Sequence, residues 1–385
     1  MSREPTTGVI VKKPGIALCL ALAALSASQA NAMPSPRYRI VSMTVTDLGT
    51  LGGLESIAHD VNNAGVIVGE SDTAAGVRHA FAQSTGPMID IGATMGGTSQ
   101  AYGINNWNHV VGSRYLHPQT LGFRRIGAVV DFLRDPAYLG EVNTFAYAIS
   151  DTGRIVGYSQ IPFAEARARL WTNPTTFYDL PPPAITSSNT YAYDINSSDV
   201  VVGFDSSSTD RMKRWQWSPT GTTSSTIPVF CDLESVQKRA RGINAAGRIV
   251  GYAESCDGTA QPHSLQWNGT SAYSTDRGVL PGGTQSFAED INNLDFTTGY
   301  ANKWVAMPWP FVGAYLEFAY LYHWDLGIGR VALPRPAGMS RYGACRGHAL
   351  SERNASLVIR VVGYCDFPTG RRAQRWDIVV ADVVY

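Results

Sequence analysis

Short apolar runs of strand length recur along this chain, broken by Gly, Asn, Asp and Pro, and seven of them share one phrase. Each copy has a small residue, an Ile-Asn-like pair, a polar turn and then Val-Val-Gly. The copies end at Gly69, Gly112, Gly157, Gly203, Gly251, Gly299 and Gly363, so the spacings are 43, 45, 46, 48, 48 and 64 residues. Two β-rich runs around a tight turn read as a hairpin. Repeats of roughly 40–50 residues built from short strands predict a β-propeller with one blade per repeat. The repeats lie around 56–71, 99–113, 144–159, 190–205, 238–253, 286–301 and 345–365.

The turn chemistry supports the hairpins. The fourth turn position is Gly65, Asn108, Gly153, Asp199, Gly247 and Asp295 in the first six copies. These are the residue types that tolerate positive φ. The seventh copy departs, with the longer Glu352-Arg353-Asn354-Ala355-Ser356. A third strand follows each Gly and ends in an aromatic or apolar residue: Phe81, Phe123, Trp171, Trp215 and Trp217, Trp267, Trp324, Trp376. These rings are expected to pack between blades. A fourth strand and a Gly/Pro-rich link, such as Pro281-Gly282-Gly283, complete the unit. The fold class is therefore all-β: a seven-bladed β-propeller of four-stranded antiparallel blades. Residues 38–48 are expected to pair with the C-terminal strands and close the ring, with the outermost strand left open between the two ends.

Two features break the pattern. Residues 1–32 read as a signal peptide: Arg3, Lys12 and Lys13, an apolar run from Gly15 to Leu25, and the small-x-small site Ala30-Asn31-Ala32. That predicts export with cleavage after Ala32, and residues 33–385 as a single domain. The other is an insertion over 302–320, which accounts for the longest spacing and carries Trp304, Trp309, Phe311 and Tyr315.

Formal net charge is zero, and beyond the leader only Lys213, Lys238 and Lys303 remain as lysines, with no basic run. A nucleic-acid partner is not expected, nor is a membrane span, because no apolar stretch reaches about 20 residues. Four cysteines follow the leader, and register suggests the pairs Cys231–Cys256 and Cys345–Cys365, which flank hairpins. No Cys/His cluster has metal-ligand spacing, so neither a metal nor a cofactor is expected.

Asp47-Leu48-Gly49-Thr50-Leu51-Gly52-Gly53, the run from Val61 to Gly69, and His79-Ala80-Phe81 together resemble the repeat of the bacterial extracellular HAF-repeat family. The resemblance covers nearly all of residues 44–380. It implies a secreted or cell-surface β-propeller of bacterial origin and assigns no common activity.

Chemistry is best sought at the channel mouth. The column after the small residue reads His59, Tyr102, Tyr147, Tyr193, Arg241, Glu289 and His348, polar or aromatic in every copy. Two readings follow. One is a non-catalytic binding or scaffold protein for a polysaccharide or an extracellular protein, using Glu289 and the insertion aromatics. The other is a polysaccharide lyase, with His59, His348, Tyr102, Tyr147, Tyr193 and Arg241 removing a proton and steadying the resulting charge. Acidic pairs such as Glu70-Ser71-Asp72 and Glu289-Asp290 read as solvated.

Overall fold

The computed structural model describes residues 37–134, 142–160, 165–181, 189–206, 210–229, 237–255, 261–307, 313–324, 326 and 329–383. Among them, 28 strands form seven four-stranded antiparallel sheets, and there is no helix. Six blades are runs of four consecutive strands, as in Gly52–Val61, Ile67–Thr73, Arg78–Gln83 and Ile89–Asp90. The Ile-Asn strand is innermost in each.

The seventh blade closes the ring. Strand Tyr38–Asp47 pairs antiparallel with Gly370–Asp382, from Tyr38 opposite Asp382 to Asp47 opposite Gln374. The N-terminal strand is thus the outermost one, which resolves the order left open by the sequence. Tyr38 is buried and also reaches blade six, where its ring lies 5.1 Å from Phe296 and 4.9 Å from His323.

The core lies between blades. Leu48, Ala58, Val61, Ile67 and Phe81 of the first repeat pack against Ala349, Val362 and Ala373 of the last. Trp171, Trp215 and Trp376 are fully buried, and Phe123 takes the same place opposite Gly112 that Phe81 takes opposite Gly69. One expected interblade ring is not there: Trp324 is 52% exposed, and the neighbouring His323 is buried in its stead, its Nε2–H donating to Leu294 O over 2.9 Å.

The repeated Asn is a latch. Asn244 Oδ1 accepts the backbone N–H of Arg248 at 2.9 Å and so shapes its own turn. Its Nδ2 donates to Asn292 O of the next blade at 3.1 Å. Asn62, Asn105, Asn196 and Asn292 repeat that bond to Asn105 O, Ser150 O, Asn244 O and Ser351 O. A buried amide with both ends satisfied is rigid. Blades three and seven carry Ser150 and Ser351 instead, whose shorter side chains bond locally to Thr152 and Glu352. The last joint is tied by Glu352 N–H donating to Asn63 Oδ1 at 3.1 Å.

The turn position expected to take positive φ does so in all six copies, from +59° at Asp199 to +82° at Gly153. Blade seven rebuilds the same turn further along: Asn354 Oδ1 accepts from Ser356 and Val358 N–H, which puts Leu357 at φ +63°. A side chain there costs roughly 1–2 kcal/mol. Leu357 is 36% exposed, so little burial is lost by trimming it. Leu357→Gly is expected to stabilise the protein by about 0.5–1 kcal/mol, read as a higher melting temperature; a lower one would contradict this account.

Cys345 and Cys365 stand directly opposite each other and form a disulfide. The pair Cys231–Cys256 lies outside the described residues. In its described residues the insertion over 302–320 extends two strands: Thr297–Val305 and Ala314–Tyr322 stay paired out to Val305 opposite Ala314. Trp309 and Phe311 lie outside the described residues.

Candidate functional site

Every innermost strand slips register at the same repeat position, and Gly52–Val61 slips a second time between Gly52 and Ser56. The pairing skips between Ala58 and Asp60, Ala101 and Gly103, Ala146 and Ala148, and Ala192 and Asp194. It skips again between Ala240 and Gly242, Ala288 and Asp290, and Gly347 and Ala349. The residue skipped is the polar column itself. A bulge leaves one residue unpaired, bends the strand and re-aims that side chain; here it turns His59, Tyr102, Tyr147, Tyr193, Arg241, Glu289 and His348 into the channel.

The bulge also explains the Gly of Val-Val-Gly. A Cβ on Gly203 would sit 1.9 Å from Tyr191 O, and the other six meet the matching carbonyl at 1.9–2.0 Å. Only Gly lets the bent strand approach so closely.

Neighbours in the column touch around the axis. His348 stacks on His59 at 5.5 Å, His59 meets Tyr102 at 5.2 Å, Tyr102 meets Tyr147 at 5.2 Å and Tyr147 meets Tyr193 at 5.5 Å. Arg241 lies over Tyr193 at 4.3 Å and donates from Nε to Glu289 Oε2 at 2.7 Å. The cavity they enclose is about 420 Å³, within the ~300–1,000 Å³ usual for ligand pockets.

Beneath the ring, the next column places Asp60, Asp194 and Asp290 on the floor of the cavity. Below them a collar of Val61, Ile104, Ile149, Ile195, Ile243, Ile291 and Leu350, all buried, separates this chamber from a hollow of about 210 Å³ at the Asn-turn end.

Above the ring, sequence reasoning missed a belt. Two residues before each bulge, and directly after each Gly, side chains face each other across the first two strands. Phe145 stacks on Tyr158 at 4.5 Å, Tyr191 on Phe204 at 4.9 Å and Phe287 on Tyr300 at 4.6 Å. Tyr158 with Tyr191, and Tyr252 with Phe287, link neighbouring blades at 4.9 Å. Arg239 caps Phe204 at 4.5 Å and Arg346 caps Tyr300 at 4.3 Å. The belt thus runs from blade three to blade seven. Blades one and two put Ile57, Glu70, Gln100 and Ser113 at these places. Period-two alternation through the bulge would have exposed this column.

The protonation states suit holding more than proton removal. Burial, then the neighbouring phenols, push the Tyr102 and Tyr147 hydroxyls above their ordinary value, so they stay protonated. Burial and the adjacent His59 lower His348 to about 3, against the bond from its Nδ1 to Ala58 O. It is a neutral ring and a weak base. The Arg241 guanidinium is already matched to Glu289.

The insertion pair Trp304 and Tyr315 packs edge-to-face at 5.2 Å with 44% and 52% exposure. These two rings do not line the chamber. Glu70, read as solvated, is not: it is 5% exposed; Asp290 is half-buried and lines the chamber.

No known protein family's sequence profile matches the chain, and no curated protein does. Solved structures that resemble it include the β-propeller domain of the Trilobed protease from Pyrococcus furiosus, at 8% identity over 86% of this chain and 97% of that one, TM-score 0.48. The SapL1 lectin in complex with alpha methyl fucoside has 10% identity over 75% of this chain and 100% of that one, TM-score 0.39. At these scores the likenesses carry no argument about ligand or activity.

Proposed function

We propose that this protein is an exported, non-catalytic β-propeller that binds a glycan in the funnel above and within the bulge ring. The family resemblance and the N-terminal leader motivate the location. The observation that carries the ligand class is the aromatic belt, in which Phe145, Tyr158, Tyr191, Phe287 and Tyr300 are half-buried over the buried Phe204, Tyr252 and Tyr364, standing over the hydroxyl-bearing rings of Tyr102, Tyr147 and Tyr193. Aromatic faces stack on the apolar faces of sugars, while phenol O–H groups both donate to and accept from sugar hydroxyls.

The test is calorimetry of the full chain against a panel of oligosaccharides, alongside ultraviolet absorbance for newly formed double bonds. Binding without absorbance is expected. Phe287→Ala and Tyr191→Ala should each weaken binding about tenfold, near 1.4 kcal/mol. Absorbance growing with a uronate polymer, and lost in His348→Ala, would replace this reading with the lyase. Binding unaffected by both belt substitutions would overturn the location.

A further inference from the structure

Resting on the glycan reading, we propose that a gap between blades two and three is a second sugar subsite, taking one neutral pyranose unit beside the funnel.

The gap begins with a break in the repeat. The residue after the closing Gly is Tyr158, Phe204, Tyr252, Tyr300 and Tyr364 in blades three to seven, but Glu70 and Ser113 in blades one and two. In blades three to six this ring fills the seam toward the next blade. Tyr158 meets Tyr191 and Tyr252 meets Phe287, both at 4.9 Å, while Arg239 and Arg346 cover Phe204 and Tyr300. In blade one Glu70 is matched by Arg78 at 3.3 Å. In blade two the side chain stops at the Ser113 hydroxyl, and the seam holds a cavity of about 210 Å³. That is smaller than the ~300–1,000 Å³ of a pocket for a drug-sized ligand, and it suits a single ring of a longer chain.

The walls follow from strand register. Thr98 stands opposite Tyr115, Gln100 opposite Ser113, and Thr120 of the third strand opposite Tyr115. Period-two alternation puts these five on one side of the blade, and Phe145 of blade three closes the other wall. Ser113, 4% exposed, lies at the base, and the exposed Thr98 and Tyr115 stand at the rim. Three bonds across the seam brace the walls: Gln119 Nε2 donates to Val142 O, Thr120 N–H to Asn143 Oδ1 and Gly122 N–H to Thr144 Oγ1, each at 2.8 Å. A cavity held open in this way loses little freedom when it is filled.

The lining selects the occupant. Thr98, Gln100, Ser113 and Thr120 together offer donors and acceptors, while Tyr115 and Phe145 add apolar surface. A pyranose matches both, with C–H faces and a rim of hydroxyls. Among the described residues no charged side chain lines the gap, so an ionised ligand would lose its water without a counter-charge. An aryl ring would fit the space but leave the polar groups unanswered. Gln100 and Ser113 occupy the belt positions of blade two, so the gap opens at the level of the funnel. Gln100 Oε1 also accepts the O–H of Tyr102, a member of the chamber ring.

Ser113→Tyr tests the proposal, because it gives blade two the residue of blades three, five, six and seven and fills the gap. Calorimetry of the full chain uses neutral gluco-, manno- and galacto-hexasaccharides, with p-cresol as the aryl probe. The hexasaccharide that binds best should bind Ser113→Tyr about tenfold more weakly. Thr120→Val keeps the shape and removes one hydroxyl, and should weaken binding about threefold. Where Ser113→Tyr does not fold, Thr120→Val decides alone. Binding unchanged in both variants overturns the subsite; the glycan reading survives if Phe287→Ala still weakens that binding. A loss in Ser113→Tyr with none in Thr120→Val also overturns it, since the new ring then acts on the funnel. No hexasaccharide bound by the unaltered chain overturns both readings. Binding of p-cresol that disappears in Ser113→Tyr, with sugar affinity unmoved, replaces the sugar subsite with an aryl site.

Discussion

Gly203→Ala is expected to destabilise the propeller by about 3 kcal/mol or more, although it adds a single methyl group. The new Cβ would lie 1.9 Å from Tyr191 O and 3.1 Å from Ala192 Cα. Both atoms belong to the backbone of the neighbouring strand, so no rotamer change relieves the overlap. The strands must part, and the bonds flanking the bulge lengthen with them. Gly153→Ala is the control: its Cβ meets nothing within 4 Å, and only the φ of +82° opposes it. That change should cost about 1–2 kcal/mol. Chemical denaturation of both variants tests the claim. Equal destabilisation would show that the glycine serves conformation alone and that the bulge tolerates a side chain opposite it.

Removal of residues 37–48 is expected to abolish the folded state. The thirteen-residue strand Gly370–Asp382 would become an edge with nine broken pairings, an invitation to aggregation. Tyr38, inserted between Phe296 and His323, would leave a void at the joint of blades six and seven; losing a buried ring of that size costs about 3–5 kcal/mol alone. A synthetic peptide of residues 37–48 added during refolding should restore part of the native signal by strand addition. A truncated chain that melts like the parent would rule out closure by this strand.

Much of this architecture was legible because the repeat restates it seven times. The hairpin turns were readable from Gly65, Asn108 and Asp199, whose backbone conformation follows from residue type. The polar column from His59 to His348 was legible as a ring for the same reason. The bulge was not, because a one-residue slip leaves no composition signal; the glycine that permits it sits on the partner strand and reads as the end of an apolar run. The slip reverses which side chains face the channel. For that reason the carboxylates of Asp60 and Asp194 escaped notice; the Phe145–Tyr158 and Phe287–Tyr300 pairs, which lie before the slip, were within reach of period-two alternation. Trp324 failed for a different reason: an aromatic residue at a strand end has no fixed face, and His323 had the better fit between Phe296 and Tyr38.

The bulge separates the part of each blade that holds the ring together from the part that meets a ligand. Asn and Gly maintain the frame, and the single skipped residue bears no pairing duty. Each blade therefore supplies one letter free of strand pairing, and seven letters spell the wall of the chamber, with Arg241 and Glu289 read as a pair. At Tyr102, Tyr147 or Tyr193, which form no ion pair in the column, a lone codon replacement reshapes the mouth without breaking a strand pairing, which makes these places a permissive starting point for laboratory evolution.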